Sequence, residues 1–272
     1  MMRDITLGQY FPSNGILHKL DARIKILLLI AYIVIIFCSF NFFALGLVVL
    51  FAITTVILSR VPVKMFLKSL KTIIIIVLIT SILNLFYGSG EPLCQWWIFT
   101  ITLNGIFNAI TVTLRIICLV IVSSALTFTT SPTDMTDGLE KLMKPLTVFH
   151  ISVHEIAMMM TIALRFVPTL LEETDKIMSA QKARGADMES GNLVKRIKAL
   201  IPILVPLFVS SFRRAYDLAM AMECRCYRGG KGRTRLKQMK MGKRDVFACV
   251  FMLILISGVV LCDVFLSGII PS

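Results

Sequence analysis

No P-loop pattern, G-x-x-x-x-G-K-[ST], occurs in the 272 residues, so nucleotide binding of that kind is not expected on this chain. The basic stretch RGGKGRTR, residues 228–235, has the wrong spacing and no strand before it. Acids are scarce: 16 Asp and Glu stand against 29 Lys and Arg, and the long apolar runs hold almost none. The carboxylates closest to a run are Asp245 and Asp263, at opposite ends of the last one. A membrane enzyme such as a prenyltransferase or an intramembrane protease needs acids or metal ligands clustered near the bilayer, so that class is disfavoured. Of three histidines, His150 and His154 are four apart but lack a third ligand. The seven cysteines are scattered, and Cys224 and Cys226 have no second pair, which favours neither a disulfide nor zinc. No cleavage site precedes Ile24, so the N-terminus does not read as a signal peptide.

What the chain has is apolar length. It is 57% hydrophobic with a mean hydropathy of +0.83, the composition of a polytopic membrane protein. Runs begin at Ile24, Phe42, Thr72, Ile106 and Val246, each long enough for a membrane helix of roughly 20 residues. The fourth carries Arg115 near its middle. The reading is all-α, with about five transmembrane helices and a cytoplasmic helical region. Residues 1–130 form a membrane region with four helices, 131–245 the cytoplasmic region, and 246–272 the last helix.

The basic residues set the orientation. Eight lie around the first hairpin (Arg3, Lys19, Arg23, Lys25, Arg60, Lys64, Lys68, Lys71), and twenty fall between Lys141 and Arg244. None lies near Asn41, in GSGEPLCQWWIFTITLN, or after Val246. The positive-inside rule then predicts a cytoplasmic N-terminus and an outside C-terminus, with Trp96 and Trp97 at the outer interface. The basic stretch before the last span suits anionic lipid rather than nucleic acid.

Residues 131–245 are too basic to span and too apolar for an ordinary loop. Ser131 as N-cap, Pro132 at N1 and Asp134 at N3 begin a short helix, with Met135, Leu139, Leu142 and Met143 on one face and Pro145 as its stop. Two longer segments follow, from about Val153 to Arg184 and from about Leu193 to Arg225, each apolar first and polar last. Pro168 is expected to bend the first, and Arg213 can pair with Asp217 in the second. Measured from proline the two do not match: Pro168 precedes Arg184 by 16 residues and Pro206 precedes Arg225 by 19.

Both segments end in a small residue followed by arginine, Ala183-Arg184 and Cys224-Arg225. A small side chain lets a helix end approach a partner, and a guanidinium fork suits that partner's carboxylates. Gly185 can close the first helix with a positive φ. Cys226 is a poor substitute, so Gly229 or Gly230 is expected to end the second helix slightly later. The plain alternative is a solvated arginine offsetting each helix dipole.

Taken with GQYFPSNGILHKLDARIKI, TSPTDMTDGLEKLMKPL, the stretch 153–187 and AMAMECRCYRGG, the chain resembles the transmembrane T component of energy-coupling factor (ECF) transporters. The resemblance spans nearly the whole chain. It implies two coupling helices whose Ala-Arg-Gly ends enter grooves of cytoplasmic ATPases. The first motif maps onto Ala183, Arg184 and Gly185 unchanged. The second maps onto Cys224, Arg225 and Cys226, where only the arginine is kept. It further implies a cell-membrane complex with two ABC-type ATPase subunits and a small substrate-binding membrane subunit (S component), for vitamin uptake. The chain itself would then be no enzyme and hold no cofactor or metal, with ATP and magnesium on the partner subunits. A metal-ion (cobalt or nickel) importer and a non-transporting membrane anchor are the alternatives. An arginine at mid-membrane must face protein or water. For Arg115 the options are Asn84, Asn108, a backbone carbonyl, or the S component.

Overall fold

Helix-forming apolar runs bounded by polar caps dominate the computed structural model, which describes residues 10–39, 41–86, 92–96, 99–149, 152–186, 193–230 and 241–266. The helices are α1 (Ala22–Cys38), α2 (Phe42–Ser59), α3 (Val63–Phe86), α4 (Leu103–Thr129), α5 (Pro132–Leu142), α6 (Val153–Ala183), α7 (Leu193–Cys224) and α8 (Lys243–Leu266). A small antiparallel hairpin of β1 (Pro92–Trp96) and β2 (Phe99–Thr102) joins α3 to α4, a detail that the hydrophobic pattern did not foretell. Trp97 lies outside the described residues, as does His150. Gly8–Gly138 with Gln238–Ser272 form one compact unit, and Leu139–Lys237 belong to a second.

In the first unit, α8 is tied to α1 at both ends by carboxylates. Asp245 Oδ1 accepts the Asp21 backbone N–H at 2.9 Å, and its Oδ2 accepts that of Gly242 at 2.7 Å. At the far end Asp263 Oδ1 accepts the Asn41 N–H at 3.1 Å, while the Asn41 side chain donates to the Cys262 carbonyl. Start meets start and end meets end, so α1 and α8 run parallel. Between them and α2 and α4 lies an apolar core that includes Tyr32, Ile36, Val48, Cys118, Met252 and Val259. Tyr32 stacks on Phe51, with ring centroids 5.2 Å apart, and donates its hydroxyl to the Val48 carbonyl at 3.2 Å.

By length and apolarity α2, α3, α4, α6 and α8 can each cross a membrane. The expected number, five, agrees, but the set differs: α6 qualifies and α1 does not. At 17 residues α1 is only ~25 Å long. Its two ends nevertheless meet the two ends of α8, so α1 traverses the same depth. The isoleucines of α3, among them Ile74, Ile75, Ile76 and Ile79, are exposed, as a lipid-facing surface requires.

The start of α1 gathers several segments of the chain. Asp21 caps α1 by accepting the Arg23 N–H at 3.1 Å. Lys25 is buried and donates to the Thr129 carbonyl at 2.9 Å and to Thr130 Oγ1 at 3.2 Å, closing the end of α4. The N-terminal stretch passes beneath the α2–α3 turn, where a Cβ on Gly15 would sit 2.5 Å from the Ser59 carbonyl oxygen. Ser131 Oγ accepts the Asp134 N–H at 3.1 Å, so α5 begins with the expected cap. Its tightest packing uses Gly138, whose missing Cβ would lie 3.2 Å from Ala22 Cβ. The expected apolar residue Met135 is only half-buried on that helix, whereas Thr136 and Gly138 are buried.

In the second unit α6 continues through Pro168, and α7 through Pro202 and Pro206. The chain leaves α5 as a 3₁₀ turn over Lys144–Phe149, so Pro145 stops the α-helix as expected.

Candidate functional site

The end of α6 is closed by two nested backbone hydrogen bonds. Gly185 N–H donates to the Lys182 carbonyl at 3.0 Å, and Ala186 N–H to that of Gln181 at 3.0 Å. Gly185 sits at φ +85°, the left-handed conformation that glycine adopts without penalty. This is a Schellman cap with Arg184 as the last half-helical residue. The Arg184 side chain is exposed beyond it.

The end of α7 is built the same way. Cys226 N–H donates to the Glu223 carbonyl at 2.8 Å, and Tyr227 N–H to that of Met222 at 3.0 Å. Cys226 takes the glycine position at φ +55°. The expectation that the helix runs on toward Gly229 or Gly230 is therefore corrected: it stops at Cys224, and Cys226 makes the turn. A side chain in that conformation costs roughly 1 kcal/mol, which two satisfied carbonyls offset. Arg225 thus occupies the same position as Arg184, with small Cys224 and Ala183 before them. Both guanidinium groups are exposed, and among the described residues neither has an ion-pair partner.

The two helices are joined by Arg214 and Glu173, whose Nη2 and Oε2 are 2.6 Å apart. The expected Arg213–Asp217 pair does not form among the described residues; the neighbouring arginine reaches across to α6 instead. Arg184 lies eleven residues beyond Glu173, and Arg225 eleven beyond Arg214. Measured from this pair, the two segments match, which the proline spacing had hidden. Just past the second cap, Gly230 lies against the ring of His154 near the start of α6, so closely that a Cβ there would overlap it. His154 Nδ1 is in turn 3.1 Å from Glu140 Oε1. The end of α7 therefore lies beside the start of α6. The helices run in opposite directions, and the tips point to opposite sides of the ion pair. Each arm is ~16 Å long at 1.5 Å per residue, which places the tips on the order of 30 Å apart.

Sequence reasoning singled out both arginines but not the ion pair or the role of Cys226. An i,i+4 pattern can flag pairs within a helix only, and no residue type marks a cysteine for a left-handed turn.

Arg115 answers differently from the expected mid-membrane charge. Its Nη2 donates to the Ser39 carbonyl at 2.8 Å, beyond the end of α1, and its guanidinium lies 5.9 Å from the Phe37 ring centroid. The backbone carbonyl, one of the expected options, is the partner. The depth is also explained. Lys25 holds Thr129, and both helices advance fourteen residues, ~21 Å, from that contact to Ser39 and Arg115. Arg115 is therefore level with the end of α1, while ~18 Å of α4 continues beyond it.

Among the described residues no group of three or more metal-ligating side chains forms. Residues 13–236 match the family model described as CbiQ, cobalt transport protein. The chain is 52% identical over 258 residues to the energy-coupling factor transporter transmembrane protein EcfT of Clostridium kluyveri, covering 94% of this chain and 96% of the relative. It is 49% identical to the protein of that name from Acidaminococcus fermentans, covering 94% and 95%. To that of Bacillus subtilis it is 43% identical, covering 94% and 97%. With a family model matched over most of its length and relatives alike from end to end, this chain belongs to the family of energy-coupling factor transporter transmembrane proteins.

Proposed function

We propose that Ala183-Arg184-Gly185 and Cys224-Arg225-Cys226 are the two tips by which this membrane protein holds two ABC-type ATPase subunits. It passes their ATP-driven motion to a small substrate-binding membrane subunit, for vitamin uptake. ATP and magnesium sit on the partner subunits, where hydrolysis occurs. The observation that carries the reading is the matched pair of caps: each presents an exposed arginine after a small residue, with a tight backbone turn behind it. A desolvated arginine–carboxylate contact matters by about 2–5 kcal/mol when one partner is removed, whereas a solvated arginine matters little. A metal-ion importer is the second reading, favoured by the description of the matched family model as a cobalt transport protein.

The test expresses Arg184→Glu, Arg225→Glu and the double variant with the ATPases and measures co-purification and uptake. Each single variant weakens the complex, and the double abolishes coupling. A correctly inserted double variant that keeps both ATPases and transports normally sinks the reading.

In the proposed orientation the N-terminus is cytoplasmic, the C-terminus outside, and residues 131–245 face the cytoplasm. The charge census supports it, as does the parallel course of α1 and α8, which begins both helices on one side. An impermeant thiol reagent on intact cells then labels Cys94 but neither Cys224 nor Cys226. Labelling of either tip cysteine from outside overturns the orientation.

A further inference from the structure

We propose that the Glu173–Arg214 ion pair is the fulcrum of the coupling helices: it fixes α6 against α7 so that displacement of one tip is converted into an opposite displacement of the other. The proposal rests on the reading of the tips as ATPase contacts. Three observations carry it. The pair is short, 2.6 Å, and charge-assisted. Its two side chains are half-buried between the helices, whereas Glu172 and Arg213 beside them are exposed. It lies eleven residues from each tip arginine, so the two arms are equal.

The physical need for such a pair follows from the rest of the contact. Apolar packing is non-directional, and two smooth helices can slide or rotate against one another at little cost. α7 leaves a long apolar surface exposed, including Leu204, Phe208 and Phe212, so these side chains do not lock it against α6. A guanidinium bound to one carboxylate specifies one register and resists slippage. With the crossing point held, the two tips are ends of one lever. With it loose, each ATPase moves its own helix and the motion dissipates in sliding. A half-exposed ion pair contributes little to stability, so its removal leaves the helices folded and the tips intact.

The test uses the full complex in proteoliposomes, with the ATPases and the co-purifying membrane subunit. It is supplied with ATP and a radiolabelled panel of riboflavin, folate and biotin. Glu173→Gln and Arg214→Gln are each expected to retain both ATPases and to hydrolyse ATP within twofold of the parent. Vitamin imported per ATP hydrolysed falls at least fivefold. The exchange Glu173→Arg with Arg214→Glu restores at least half of the parent ratio, which a side chain needed merely for bulk would not. An unchanged import ratio in either single variant, or an exchange that fails to restore it, overturns the fulcrum. Loss of the ATPases from the single variants overturns it too, because the pair would then serve docking. If the double tip variant, Arg184→Glu with Arg225→Glu, still loses the ATPases, the coupling assignment stands whatever becomes of the fulcrum.

Discussion

Arg115, in the middle of α4, closes the end of α1 through the Ser39 carbonyl oxygen 2.8 Å away. A charge that looks stranded at mid-span is a cap for a shorter neighbour. Arg115→Met removes the donor and leaves a carbonyl unsatisfied where Ser39 is buried, at a cost of about 1–3 kcal/mol. The purified variant melts at lower temperature in detergent, and Arg115→Lys falls between it and the parent. ATPase co-purification is unchanged. If instead the melting temperature holds and the substrate-binding subunit is lost, Arg115 serves that partner.

The two carboxylates of α8 differ in what they hold. Asp245 is buried and accepts two backbone N–H groups, whereas Asp263 accepts the Asn41 N–H. Asp245→Ala strands more donors and is the more damaging change, by about 2–3 kcal/mol against about 1 kcal/mol for Asp263→Ala. Denaturant titration of both variants checks the order. Equal effects would show that α8 is held by its apolar face alone.

At the second tip, Cys226→Gly keeps the turn and relieves the left-handed side chain. It stabilises the end of α7 by roughly 1 kcal/mol, read as slower amide exchange at Tyr227, whose N–H closes the cap. Gly185→Ala moves the first tip the other way by a similar amount, since a Cβ there meets no atom within 4 Å and only the positive φ opposes it. Faster exchange in Cys226→Gly would mean that the cysteine side chain holds the turn.

Gly230→Ala drives a methyl group into the His154 ring. Contacting residues couple by about 0.5–3 kcal/mol, so His154→Ala, which vacates that space, rescues much of the loss. A double-mutant cycle on melting temperature measures it. Strict additivity would show that residue 230 and residue 154 do not press on one another.

Much of this molecule is written locally. Apolar run length determines α2, α3, α4 and α8, and a Ser-x-x-Asp cap starts α5. The change from apolar to polar along 153–184 and 193–225 locates two long helices, and Gly185 names the end of the first. Each of these rests on residues within a few positions of one another, and short-range sterics, capping and periodicity suffice to read them. The rest is decided between elements distant in sequence. The depth of Arg115 depends on Lys25 meeting Thr129, and the crossing point of α6 and α7 on Arg214 meeting Glu173. The passage of α1 across the full depth depends on Asp245 and Asp263 meeting residues more than two hundred positions away. The cap at Cys226 is local in space, yet a cysteine carries no intrinsic preference for it. Two backbone hydrogen bonds and the path of the following chain past His154 hold it there, because only packing can make a costly backbone conformation the lowest one.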